Sequence, residues 1–279
     1  MWFTSPLPPL LLATSLTIVL CAGIVRGFAG FGFSALSVAG LALLVSPAKV
    51  VPASFMLEML ASISLLRSAV RDIDWHWLGW SIAGNALCIP LGIALRAWLP
   101  ETPLRLLIGA LLLLAAGLLR SGFSLALAPS ARVRLGVGMA SGFVNGVAAI
   151  GGIAVAVMLS TTQITPAVMR ATMIALFLFT DLYALTCSAA VSFGAHVPTE
   201  LLGADTLRWA VWLTPAMLAG IWVGQRSFTG VSPEQFRRHV LNLLMLIASI
   251  SVLRAGAELF TRGHPHRPGP SLHTAMQGF

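Results

Sequence analysis

Long apolar runs separated by short polar or proline-bearing breaks set the layout of this chain. A membrane-spanning helix takes about 20 predominantly apolar residues, with a range of roughly 17–25. By that measure ten segments emerge, at approximately 9–26, 28–45, 48–67, 75–95, 104–120, 132–149, 151–163, 167–190, 208–226 and 236–256. The runs are continuous rather than alternating, which excludes the alternating strands, about ten residues long, of a membrane barrel. Segments 132–149 and 151–163 are short. They suit a hairpin of half-helices dipping into the membrane, as do the first two segments. The pattern predicts an all-α, polytopic membrane protein with about 8–10 membrane segments.

A glycine-rich motif occurs twice. Residues 22–33 read AGIVRGFAGFGF and residues 141–152 read SGFVNGVAAIGG. A shift of 119 lays Gly23 on Gly142, Gly27 on Gly146, Gly32 on Gly151 and, further on, Pro47 on Pro166. A shift of 132 then lays Trp77 on Trp209, Ile89 on Ile221, Gly92 on Gly224 and Arg105 on Arg237, so 13 residues are inserted in the second half, most simply within the polar stretch 193–208. Five segments per half is an odd number, so the halves insert with opposite orientation, as two inverted repeats. The expected division is a first transmembrane repeat over 1–125, a second over 126–260 and a disordered polar tail over 261–279.

Composition and charge sharpen this. Hydrophobic residues make up 57% of the chain and charged residues 9%, against about 25% charged in a soluble domain. Such a chain cannot cover a water-facing surface. The net charge of +8 comes from basic residues between apolar runs, which points to orientation signals and away from nucleic acid. Arg67 and Arg71, then Arg120, Arg132 and Arg134, then Arg226, Arg237 and Arg238 fall on one side in the ten-segment layout. That side is predicted to be cytoplasmic, with both termini opposite. Cys21, Cys88 and Cys187 lie inside apolar segments and read as small buried side chains. His264, His266 and His273 sit in the polar tail, where solvation is the simpler reading than metal binding. No Ser-His-Asp pattern, HExxH or phosphate-binding loop is present, so the sequence predicts no enzyme, no cofactor and no metal.

Candidate chemistry concentrates at the repeated motif. Gly23/Gly27 and Gly142/Gly146 are spaced for close helix packing. The denser glycines Gly27, Gly30 and Gly32, and again Gly151 and Gly152, favour breaks in the helix. A break frees backbone groups that lipid cannot satisfy, and amides at a half-helix start suit an anion. Arg26 and its counterpart Asn145 stand beside the two breaks as donors to anionic oxygens, or Arg26 marks a membrane boundary. Lys49 and Arg170 follow the matched prolines and either reach the site or snorkel to headgroups. Gln163, with Thr161, Thr162 and Asn85, lines a path or satisfies neighbours. Glu58 and Asp181 lie in apolar surroundings and serve charge balance or proton coupling. They are not at matched positions: Glu58 falls on Phe177, and Asp181 on Ser62.

In GFAGFGFSAL (27–36), SPAKVVPASFMLE (46–58), DIDWHWL (72–78), SGFVNGVAAIGG (141–152) and TPAVMRATMIALF (165–177) the chain resembles the TauE/SafE family of membrane permeases. VAAIGG stands where the second motif often reads LFGIGG; the paired glycines remain and one before them is lost. The resemblance implies a bacterial inner-membrane location, two repeated halves and transport of small anions such as sulfite or organosulfonates. The expected function is therefore a secondary transporter, an exporter of a small anion working by alternating access. Its expected partners are the lipid bilayer, the anionic substrate, a coupling ion such as the proton, and further copies of itself. The alternatives are a passive anion channel on the same scaffold and a non-transporting membrane scaffold protein.

Overall fold

A computed structural model of the protein describes residues 8–121, 130–159, 164–194, 203–226 and 233–262. Among the described residues all regular structure is helical. The helices are α1 (Pro9–Ala29), α2 (Phe33–Leu41), α3 (Pro47–Ala69), α4 (Trp75–Trp98), α5 (Glu101–Arg120), α6 (Ala131–Ala148), α7 (Gly152–Leu159), α8 (Pro166–Gly194), α9 (Ala204–Arg226) and α10 (Pro233–Arg262). Each apolar run in the sequence falls on one of them. The apolar run 28–45 carries only nine helical residues, because it contains the break that follows α1. Residues 195–202 of the polar stretch, and the tail from residue 263, lie outside the described residues.

Among the described residues five helices are long and apolar enough to cross a membrane: α1, α3 with the following turn, α4, α5 and the part of α8 up to Ser192. In α3, 61% of the most apolar window is buried, more than in the other four, so α3 is the most central of them.

Local chemistry sets the helix ends. Pro47 occupies the first turn of α3, where its missing N–H breaks no bond. Thr165 caps α8 by accepting from the Val168 amide at 3.4 Å, and Asp74 caps α4 by accepting from the Trp77 amide at 2.9 Å. The Asp74 amide in turn donates to Thr172 Oγ1, tying the α3–α4 turn to the start of α8.

The packing follows an exchange rule. α1 packs most extensively on α9, and α6 on α4. α3 pairs with α8, and α5 with α10. α4 also touches α8 as α9 touches α3, and α2 touches α10 as α7 touches α5. Swapping α1–α5 for α6–α10 maps each of these pairs onto itself or onto another of them.

Glycine makes the two principal pairs possible. A Cβ on Gly23 would stand 2.6 Å from the Met217 carbonyl oxygen of α9, and one on Gly27 would run into the Ile221 carbonyl. Gly220 and Gly224 press equally hard on α1. In the other pair Gly138, Gly142 and Gly146 of α6 meet Ser81, Asn85 and Ile89 of α4, while Gly84 and Gly92 meet the α6 backbone. Backbone lies against backbone over two to three turns, the geometry small-residue repeats permit.

Both breaks use a left-handed residue. Gly30 has φ +80° and Ala149, its counterpart at the shift of 119, has φ +58°. The Gly30 and Ala149 amides each donate to the residue four back, Arg26 and Asn145, at 2.8 Å. The second break therefore keeps the backbone conformation of the first although it lacks the glycine. An L-residue in this region is strained by about 1–2 kcal/mol.

Two stability outcomes follow. Gly146→Val is expected to lower the melting temperature in detergent sharply, since overpacking here meets backbone and costs about 1–3 kcal/mol or more; Gly117→Ala, with open space around it, is expected to be neutral or stabilising by about 1 kcal/mol. Ala149→Gly is expected to stabilise by about 1 kcal/mol, because it relieves the left-handed strain. A thermal melt of the purified chain measures all three.

Candidate functional site

The two breaks meet. Phe31, Gly32, Ser34 and Ala35 from the first, and Ala149, Ile150 and Gly152 from the second, line one cavity with Glu58 of α3 and Phe177 of α8. The cavity measures about 10 Å³, room for a single water.

Arg26 is the centre of this cluster. It lies in the last turn of α1 and is fully buried. Its Nη1 donates to the Gly30 carbonyl at 2.6 Å, bridging the break, and stands 3.1 Å from Glu58 Oε1. Its Nη2 donates to Ser62 Oγ at 2.7 Å. The guanidinium also lies over the Phe177 ring, 4.5 Å from the centroid. Only Nε is left without a partner. A guanidinium held on a carboxylate in low dielectric is charge-balanced, and removing either partner leaves an uncompensated charge.

Asn145 occupies the equivalent place in α6. Its Oδ1 accepts from the Gly151 amide and its Nδ2 donates to Asp181 Oδ1, both at 3.3 Å. The repeat explains the acids' apparent mismatch. Ser62 is the counterpart of Asp181, so the Arg26–Ser62 and Asn145–Asp181 contacts are the same contact in the two halves of the sequence. Glu58 sits one turn along α3 from Ser62, and its own counterpart Phe177 stacks on Arg26. Asp181 is buried, with Oδ2 unpartnered. Glu58 is thus paired with Arg26, while Asp181 is held by an amide and not by a cation.

Arg170 joins from the first turns of α8. It is half-buried, and its Nη2 donates to the Gly27 carbonyl at 2.8 Å, satisfying an orphan carbonyl at the end of α1. Its side chain also fills the space against which a Gly30 Cβ would press. The other glycines divide by role: Gly27 is a packing residue with one bonded carbonyl, Gly30 and Gly32 take left-handed conformations, and Gly151 and Gly152 leave room for Ser141 and Phe177. Lys49 is exposed in the first turn of α3 and is not brought to the cluster. Gln163, Thr161 and Thr162 lie outside the described residues.

Sequence reasoning missed three contributors. Ser62 and Phe177 were visible only as the residues the two acids fall on in the repeat. Arg96, near the end of α4, is 1% exposed, although its place beside Trp98 and Pro100 reads as a membrane boundary. Among the described residues no group of acids, histidines and cysteines could hold a metal ion.

The family model described as "Sulfite exporter TauE/SafE" matches residues 15–251 of the chain. No curated protein and no solved structure matches.

The buried pair sets a stability test. Arg26→Gln and Glu58→Gln are each expected to destabilise by about 3–5 kcal/mol, because each strands the other charge. The double variant is expected to recover most of that loss. A double-mutant cycle from unfolding in detergent measures the coupling, and additive losses would contradict the pairing.

Proposed function

Because the chain belongs to the sulfite exporter TauE/SafE family, a family of membrane transporters, we propose that it is a secondary transporter of a small oxyanion such as sulfite or an organosulfonate. It would export its cargo across a bacterial inner membrane by alternating access between inverted repeats. The observation that carries this reading is Arg26. It is a buried guanidinium at the meeting point of two helix breaks, and its anionic partner is the chain's own Glu58. A site that binds a carboxylate through a guanidinium is chemically competent for another oxyanion.

Protonation of Glu58 withdraws the internal anion and frees Arg26 for the cargo. The second carboxyl group, Asp181, serves as the donor or relay for that proton. Substrate anion and proton then leave together, so export runs on the anion's own outward concentration gradient, without ATP. The exchange rule in the helix packing supports inverted repeats: α3 and α8, which carry the two acids, pair with each other, and each broken helix packs on a helix from the other half. A cavity of about 10 Å³ is too small for a four-atom oxyanion. This supports a closed intermediate of a transporter over an open channel.

The test is radiolabelled uptake in proteoliposomes with sulfite, thiosulfate, sulfate, sulfoacetate and acetate offered in turn. Saturable counterflow of at least one sulfur oxyanion is expected. Arg26→Gln should lower kcat/KM about 10–100-fold, the worth of a charged hydrogen bond, with Arg26→Lys intermediate. Glu58→Gln should still exchange anion but no longer accumulate it when a pH gradient is imposed. Transport restricted to a cationic or neutral cargo would overturn the assignment.

A further inference from the structure

A second arginine is buried with less compensation than Arg26. Arg96 of α4 donates from Nη2 to Ser188 Oγ at 3.1 Å and lies over the Phe55 ring, 5.6 Å from the centroid. Its Nε and Nη1 are buried without a partner. Among the described residues no carboxylate forms an ion pair with it. Burying a guanidinium without a carboxylate is costly, and inside a membrane protein an ionisable side chain is a candidate for a functional site.

Its neighbours place it on the same path as the central cluster. On α8, Arg170, Phe177, Asp181 and Ser188 are separated by 7, 11 and 18 residues from the first. At ~100° per residue they fall within about 20° of one line along the helix. Each meets a different part of the site: Arg170 the Gly27 carbonyl, Phe177 the Arg26 guanidinium, Asp181 the Asn145 amide, and Ser188 the Arg96 guanidinium. The stripe runs ~27 Å, nearly the thickness of the bilayer's hydrocarbon core. On α3, Phe55, Glu58 and Ser62 follow the same course in the opposite direction, with Phe55 against Arg96 and the other two against Arg26. Seven residues of α8 separate the Asp181 level from the Ser188 level, ~10 Å of rise.

We infer that Arg96 and Ser188 form a second oxyanion-binding station on the translocation path, ~10 Å along α8 from the central cluster. The two free guanidinium nitrogens and the Ser188 hydroxyl offer donors to one oxyanion. Arg170, at the other end of the stripe, is half-buried, so the cargo passes from Arg170 to Arg26 to Arg96, or the reverse. The station is packed shut in this conformation and opens only when α3, α4 and α8 part. The inference rests on the anion-transport reading above.

The experiment is sulfite counterflow into proteoliposomes carrying the full chain, with KM and maximal rate measured separately for the parent, Arg96→Gln, Arg96→Lys and Ser188→Ala. Arg96→Gln is expected to raise KM about tenfold or more, the loss of charged hydrogen bonds. Ser188→Ala should raise it about threefold, the worth of one neutral donor. Arg96→Lys should fall between Arg96→Gln and the parent. If Arg96→Gln does not fold, Ser188→Ala decides alone. A KM within a factor of about two of the parent, or a fall in rate with KM unchanged, overturns the station while leaving the transport reading intact. A parent that moves no oxyanion removes both.

Discussion

Backbone groups released in the middle of a bilayer must be satisfied by the protein itself, since lipid offers no hydrogen bonds. That constraint organises the centre of this molecule. The first break presents carbonyls, at Gly27 and Gly30, and two arginines donate to them. The second break presents an amide, at Gly151, and Asn145 accepts from it. A guanidinium can only donate, whereas an amide side chain can do both. Equivalent positions therefore carry different residues, and the consequence is electrical. Arg26 brings a full charge into low dielectric, so the first half places Glu58 beside it. The second half places a carboxyl group at the Ser62-equivalent position, Asp181, with no cation of its own.

Much of this was legible from residue pattern. Among the described residues each continuous apolar run falls on a helix, and the repeated glycines mark where helices approach closely, because helix approach depends on the absence of a Cβ. Pro47 and Pro166 marked helix starts for the reason that their missing N–H is harmless there. What the pattern left open was which glycines pack and which bend. Gly23, Gly27, Gly142 and Gly146 look alike in sequence, and only the facing helix decides: α9 for the first two, α4 for the others. Lys49 and Arg170 follow matched prolines, yet one is exposed and the other reaches across to α1. The difference is two helical positions, enough to turn a side chain from lipid or water to the interior. Arg96 escaped notice because a cation near a helix end ordinarily snorkels. Its burial follows from Ser188 and Phe55, partners from α8 and α3 that no local pattern reveals.

The rigid and the yielding parts of the fold separate along the same lines. α1 on α9 and α6 on α4 are locked backbone to backbone by interleaved glycines. Such contacts tolerate little sliding, because each row of Cα atoms sits in the groove of the other. α3 and α8 meet instead beside the polar side chains Arg26, Glu58, Asn145, Asp181 and Arg96, whose contacts are hydrogen bonds and an ion pair. Hydrogen bonds and ion pairs can be re-made in a second arrangement; interdigitated backbone cannot.

Each locked pair carries one helix break. α1 delivers the first break while held on α9, and α6 delivers the second while held on α4. A rotation of one pair against the other therefore moves the two breaks apart as units, and the cavity between them is the place that widens. Between the pairs stand α3 and α8, with the acids that respond to a change of charge. On the proposed reading, an oxyanion at Arg26 would remove the attraction that draws Glu58, and with it α3, onto the end of α1. The interaction that closes the centre would then be the one the cargo replaces, which is the condition a ligand must meet to shift a conformational equilibrium: it binds one arrangement better than the other.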